Sequence, residues 1–88
     1  MKIETKYEIG QHVWVVYENN KEVCVYDDYI SYISIEDGLV YGMKEGYSEA
    51  SEEEIILYDE ADKLVDKIKK IMQEIREKEA GAKVWMIL

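Results

Sequence analysis

The chain has no phenylalanine, no proline, one cysteine (Cys24) and one histidine (His12) among its 88 residues. A lone thiol cannot close an internal disulfide, and one Cys with one His is too little for a zinc site. The five glycines, at positions 10, 38, 42, 46 and 81, stand apart, without the G-x-G-x-x-G or G-x-x-x-x-G-K spacing that cradles phosphates. Neither Asp27-Asp28 nor Glu52-Glu53-Glu54 has the alternating oxygen ligands and central glycine of a calcium loop. No metal and no cofactor are therefore expected. No apolar run approaches the roughly 18–20 residues that cross a bilayer, and Met1–Lys6 leads into no apolar stretch of a secretory signal. The expected location is cytoplasmic, with no membrane partner.

Apolar residues make up 48% of the chain and charged residues 35%, a globular composition rather than a disordered one. Eighty-eight residues make one domain, 1–88, with a core small enough that a partner or a second copy could contribute to stability. Eight tyrosines and two tryptophans supply the aromatic bulk, so the core carries polar handles that need hydrogen-bond partners. A net charge of −9 opposes direct binding of DNA or RNA, whose phosphates are held by Lys and Arg. The same charge keeps the protein soluble and steers it toward basic partners.

Residues 12–17 and 22–26 are rich in β-branched and aromatic residues, and Asn19-Asn20 between them suits a hairpin tip. Further strands are expected over 29–35 and 39–43, joined by Asp37-Gly38. Within 29–35 the apolar set changes from Ile30 and Tyr32 to Ile33 and Ile35, a phase change that calls for a β-bulge or a bent strand. Residues 55–58 form a short apolar strand or 3₁₀ segment. Asp59 has the chemistry of a helix N-cap, and Ala61, Leu64, Val65, Ile68, Ile71, Met72 and Ile75 then follow steps of three and four. The expected helix covers 59–80, with Gly81 at its end. The apolar tail 83–88 is expected to return as a short strand or to dock on a partner. The fold class is α+β: a small bent antiparallel sheet or barrel over about 7–58, one long amphipathic helix, and a terminal strand.

Charge is segregated along the chain. Residues 45–62 contain eight acids, Glu45, Glu49, Glu52, Glu53, Glu54, Asp59, Glu60 and Asp62, and no Lys or Arg. These carboxylates could imitate a phosphate backbone toward a basic protein groove. They also fit a solvated connection followed by ordinary helix-start charges. The helical stripe is equally double: it can pack on the strands, or its distal part, Ile68, Ile71, Met72 and Ile75 with Trp85, can form a homodimer. His12 and Cys24 fall on neighbouring strands of one hairpin, where a Cys-His pair is conceivable. A hydrophobe-like cysteine and an ordinary strand histidine explain them more simply, and no enzyme is expected.

The entry Tyr7-Glu8-Ile9-Gly10-Gln11-His12-Val13-Trp14, the hairpin after it, and Tyr47 leading through the acidic run to Ile55-Ile56-Leu57 resemble small SH3-like barrel proteins of bacteria and their phages. The resemblance covers about residues 7–66 and leaves the long helix and apolar tail unaccounted for. It implies a non-catalytic module that binds peptides or proteins. For a chain this acidic, it implies an inhibitor of the anti-CRISPR or other anti-defence kind, a nucleic-acid mimic that occupies a basic groove. The competing expectation is an assembly module that dimerises through helix and tail.

Overall fold

The computed structural model describes residues 4–36 and 38–87, with residues 80–87 described by their backbone alone. Five strands, β1 His12–Asn19, β2 Glu22–Ser34, β3 Val40–Met43, β4 Glu49–Ser51 and β5 Ile55–Leu57, form one antiparallel sheet. A 3₁₀ turn, Glu52–Glu54, joins β4 to β5, and helix α1 spans Ala61–Ile87. The spatial order is β4-β3-β2-β1-β5. No ladder links β4 to β5 among the described residues, so the sheet is open rather than a hydrogen-bonded closed barrel.

The β1–β2 hairpin forms, with its tip one residue later than expected. Asn19 pairs with Glu22, which leaves Asn20 and Lys21 as a two-residue loop with φ of 51° and 66°. Two successive positive φ values define a type I′ turn, whose twist suits a hairpin. Asn tolerates that region, whereas Lys has a Cβ that crowds the carbonyl. Lys21→Gly is therefore expected to raise stability by about 0.5–1 kcal/mol, read as a higher urea midpoint at unchanged slope.

The two expected strands over 22–26 and 29–35 are one continuous strand of 13 residues. Its register against β3 shifts between Ile30 and Tyr32, the position of the phase change. This bulge lets one strand serve β1 with its first half and β3 with its second. Gly42 sits opposite Tyr32, and the Tyr32 ring occupies the space where a Cβ would stand. Asp37 lies outside the described residues; its neighbour Gly38 has φ of 108° in the connection between β2 and β3.

β1 is apolar on both faces because each face is covered. Val13 and Val15 face a cluster with Tyr7, Ile30, Tyr41, Met43, Ala50 and Ile55. Trp14 and Val16 face the opposite way, toward Ile56 and the helix residues Leu64, Ile68, Ile71 and Ile75. The tyrosines within the first cluster do find partners. Tyr7 donates to the Ile55 carbonyl at 2.9 Å and meets Tyr41 edge-on, with ring centroids 5.5 Å apart.

The helix starts at Ala61, with the Glu60 carbonyl accepting from Lys63 and Leu64, so Glu60 rather than Asp59 occupies the cap position. Leu64, Ile71 and Ile75 are buried and Ile68 is half-buried, while Val65 and Met72 stay exposed. Lys78 reaches Glu18 at 3.3 Å. The backbone then continues helical through Gly81 to Ile87, in place of the terminal strand expected for 83–88; Leu88 lies outside the described residues. A lone glycine costs a helix only about 1 kcal/mol against alanine, and Ala80 and Ala82 on either side are the best helix formers. At 1.5 Å per residue the helix is about 40 Å long, and the molecule measures 52 × 28 × 23 Å. The helix therefore runs past the sheet.

Candidate functional site

The acidic run is divided by the fold between two tasks. Glu52 accepts from the Tyr41 hydroxyl at 2.7 Å and from the Lys6 N–H at 3.2 Å. Those two hydrogen bonds hold its carboxyl below the usual range, against a smaller opposing effect of burial. Glu54 accepts from the Ser51 N–H and hydroxyl at 2.9 and 3.2 Å, which locks the 3₁₀ turn as half of a capping box. Glu60 pairs with Lys63 at 2.7 Å. Glu49 accepts from the Tyr32 hydroxyl at 2.7 Å. Glu45, Glu53, Asp59 and Asp62 make no side-chain hydrogen bond or ion pair among the described residues, and Glu45, Glu53, Asp59 and Asp62 are exposed.

Two residues of the run, Glu49 and Glu54, line one opening. A cavity of about 460 Å³ is lined by Val15 and Tyr17 of β1, Tyr26 of β2, Gly46 and Ser48 of the β3–β4 connection, Glu49 and Glu54. Val15 floors it. Tyr17 and Tyr26 meet edge to face, 6.4 Å between centroids, and the Tyr26 and Ser48 hydroxyls are hydrogen-bonded. The Cys24 sulfur first, then burial, with Tyr26 and Glu54, pushes the Tyr17 phenol above its ordinary value. Tyr17 is therefore a neutral hydroxyl at physiological pH. Among the described residues no Lys or Arg lines the cavity.

The rim is held by a buried charge. Asp28, 2% exposed, accepts from the Tyr29 N–H at 2.7 Å, from Glu45 at 3.0 Å and from Gly46 at 2.8 Å. Burial opposes its ionisation, but the N–H groups of Glu45, Tyr29, Gly46 and Lys44 outweigh burial and keep its carboxyl below the ordinary value. Tyr47 follows with φ of 52° and 93% exposure, between two residues that line the cavity. A bulky side chain in the left-handed region is uncommon and is retained here by the anchored loop.

A second exposed feature lies at the other end of β1. Trp14, Tyr58, His12 and Tyr29 form a continuous stack, with successive centroids 4.9, 3.8 and 4.4 Å apart. His12 Nε2 lies 2.7 Å from Asp27. His12 pairs across the ladder with Tyr29, and Cys24 pairs with Tyr17, five residues further along β1. At about 3.4 Å per residue they are about 17 Å apart, and the conceivable Cys-His pair does not form. Among the described residues no three His, Cys, Asp or Glu side chains cluster as metal ligands, and no helix is long and apolar enough to cross a membrane.

Of the residues singled out for self-association, Ile71 and Ile75 are buried against Val16 and Ile56, Ile68 packs beside them, and Met72 is 41% exposed. The side chain of Trp85 lies outside the described residues. Sequence reasoning did not reach Tyr17, Tyr26, Tyr47 and Ser48. The one available signal was alternation: Val13, Val15 and Tyr17 share a strand face that continues from the core to the opening. No family model, curated protein or solved structure matches the chain.

Proposed function

We propose that the protein is a non-catalytic binding module that docks on a basic protein surface, such as the nucleic-acid groove of a DNA- or RNA-binding protein. The observation that carries this reading is the open cavity lined in part by Glu49 and Glu54 and flanked in sequence by the exposed Glu45, Tyr47 and Glu53, without one Lys or Arg between residues 45 and 62. An exposed tyrosine beside a pocket is a common anchor in protein interfaces, and a one-signed rim steers a partner of opposite charge. The SH3-like reading of the fold is supported by the strand order, the bent β2 and the 3₁₀ turn before β5. Inhibition of a host nucleic-acid enzyme is the biological role that this chemistry suits.

Structure decides which residues can test the reading. Reversing Glu52 or Glu54 would damage the turn they hold, so Glu45, Glu53, Asp59 and Asp62 are the informative positions. A partner captured from lysate at low salt should elute as salt rises, and a DNA duplex should compete with this protein for it. The quadruple Lys variant is expected to keep its fold and lose about 100-fold in affinity, roughly 2.7 kcal/mol. Capture that ignores both salt and the four reversals would overturn the proposal.

A further inference from the structure

An antiparallel ladder turns alternate residues of a strand toward and away from each neighbour. The Asn19–Glu22 pair closes the two-residue turn, so Glu22, Cys24, Tyr26 and Asp28 direct their backbone N–H and C=O at β1. Val23, Val25 and Asp27 direct theirs away. Tyr29 shares that outward sense, since its carbonyl accepts from the Lys44 N–H at 2.9 Å. β3 joins β2 only from Ile30 onward, which leaves Val23, Val25 and Asp27 without a ladder partner among the described residues. The edges of β4 and β5 are shorter, three residues each, and the outward carbonyl of Ile55 on β5 accepts from Tyr7. Residues 22–27 of β2 contain no proline, lysine or bulge, the devices that blunt an exposed edge.

From this edge we infer that a second copy of the chain pairs with β2 through its own β2, antiparallel about a two-fold axis at Cys24. Val23 of one copy then faces Val25 of the other on both sides of the axis, and each such pair exchanges hydrogen bonds through the backbone groups left open. Three features favour this register. Lys21 comes opposite Asp27 of the second copy, and no acid meets an acid. On the helix side, Val25 of the second copy falls beside Val23, at a groove of about 350 Å³ lined by Val23, Met72 and Ile75 with Lys21, Glu22 and Arg76. Val25 and Met72 are 39% and 41% exposed in the single chain, and the pairing covers both. A register moved toward Asp28 runs the second copy into the connection that Asp28 holds through Glu45 and Gly46. The two Cys24 residues become direct neighbours at a non-hydrogen-bonded position, with Cα atoms about 4.5 Å apart, inside the range that a disulfide spans. Each copy carries −9, which outweighs the local Lys21–Asp27 attraction at long range, so salt strengthens the pairing by screening. Docking on a basic partner has the opposite salt dependence, so the two proposals fail separately.

The test uses the full chain with its native, half-buried cysteine. Sedimentation under reducing conditions, at hundreds of micromolar protein, is expected to show a dimer whose fraction rises with salt. Diamide, which takes up the protons and electrons that a pair of thiols gives up on forming S–S, should then link Cys24 to Cys24 as a dimer on a non-reducing gel. Moving the thiol by one residue, in Cys24→Ser with Val23→Cys, should slow linking at least about tenfold, because the two thiols then sit at diagonal positions about 7–8 Å apart. Val25→Lys, on the exposed edge and outside the β1 hydrogen bonds, should keep the wild-type melting curve and weaken the dimer at least about tenfold. A monomeric mass at every salt concentration, a dimer whose Cys24 thiols do not link, equal linking from positions 23 and 24, or a dimer unchanged by Val25→Lys would overturn the edge pairing.

Discussion

Asp28→Ala is expected to lower the free energy of unfolding by about 3 kcal/mol, the loss of a buried charge-assisted network. For a domain of this size that corresponds to a fall of roughly 12–24 °C in Tm. The variant leaves the amides of Tyr29, Glu45 and Gly46 without an acceptor in a place that water reaches poorly, since Asp28 is 2% exposed. Total stability for 88 residues is about 4–13 kcal/mol, so the change takes a large share of it. Asp28→Asn keeps the shape and one acceptor oxygen but turns an NH₂ toward N–H donors, and should recover only part of the loss. Urea unfolding of the three proteins checks the order wild type, Asn, Ala; an Ala variant within 1 kcal/mol of wild type would remove Asp28 from its anchoring role.

The same carboxylate gives the stability a pH dependence of definite sign. Its folded-state value is depressed, so its contribution is fully present above the ordinary aspartate value of about 4 and is lost as pH falls through the folded value. Glu52, also depressed, adds to the same acid limb. Asp28→Asn should flatten that limb while leaving the curve near neutral pH parallel to wild type.

Legibility in the sequence followed the range of the interaction. The hairpin, the phase change at Ile30/Tyr32 and the spacing of Leu64, Ile68, Ile71 and Ile75 are written in local periodicity, and each has its counterpart in the fold. β1 was harder, because Val13-Trp14-Val15-Val16 does not alternate. Only the helix packed on the outer face of the sheet explains why Trp14 and Val16 are as apolar as Val13 and Val15. Asp28 gave no signal, since two of its partners lie 17 and 18 residues away and all are backbone amides, which every residue but proline possesses. Terminal residues 83–87 have strand-forming side chains, but their backbone continues the helix that precedes them.

The acidic run shows the same limit in its chemistry. Composition counts eight carboxylates without seeing which have partners. Glu49, Glu52, Glu54 and Glu60 have partners within the fold, Glu49 through the Tyr32 hydroxyl. The candidate site is consequently smaller than the run, and it includes neutral residues, Tyr17, Tyr26 and Ser48, that charge counting passes over.

Two neighbouring substitutions on the helix separate packing within the chain from association between chains. Ile71→Lys is expected to cost 4 kcal/mol or about that, combining the loss of a buried isoleucine with an ammonium pressed against Val16 and Ile56. Met72→Lys, one residue on and 41% exposed, should change stability by less than about 1 kcal/mol. Ile71→Lys therefore says nothing about a dimer, because it dismantles the face that α1 gives to its own sheet. Met72→Lys and Val65→Lys do address it, since both side chains stand clear of that face. Thermal melts by circular dichroism check the stability contrast, and sedimentation checks the mass. A folded Met72→Lys protein with a smaller mass than wild type would place self-association on the exposed flank of α1; an unchanged mass would leave the whole buried stripe to the core, as the contacts of Leu64, Ile71 and Ile75 with Val16 and Ile56 require. Equal stability of the Ile71 and Met72 variants would contradict the packing of α1 on β1 and β5 itself.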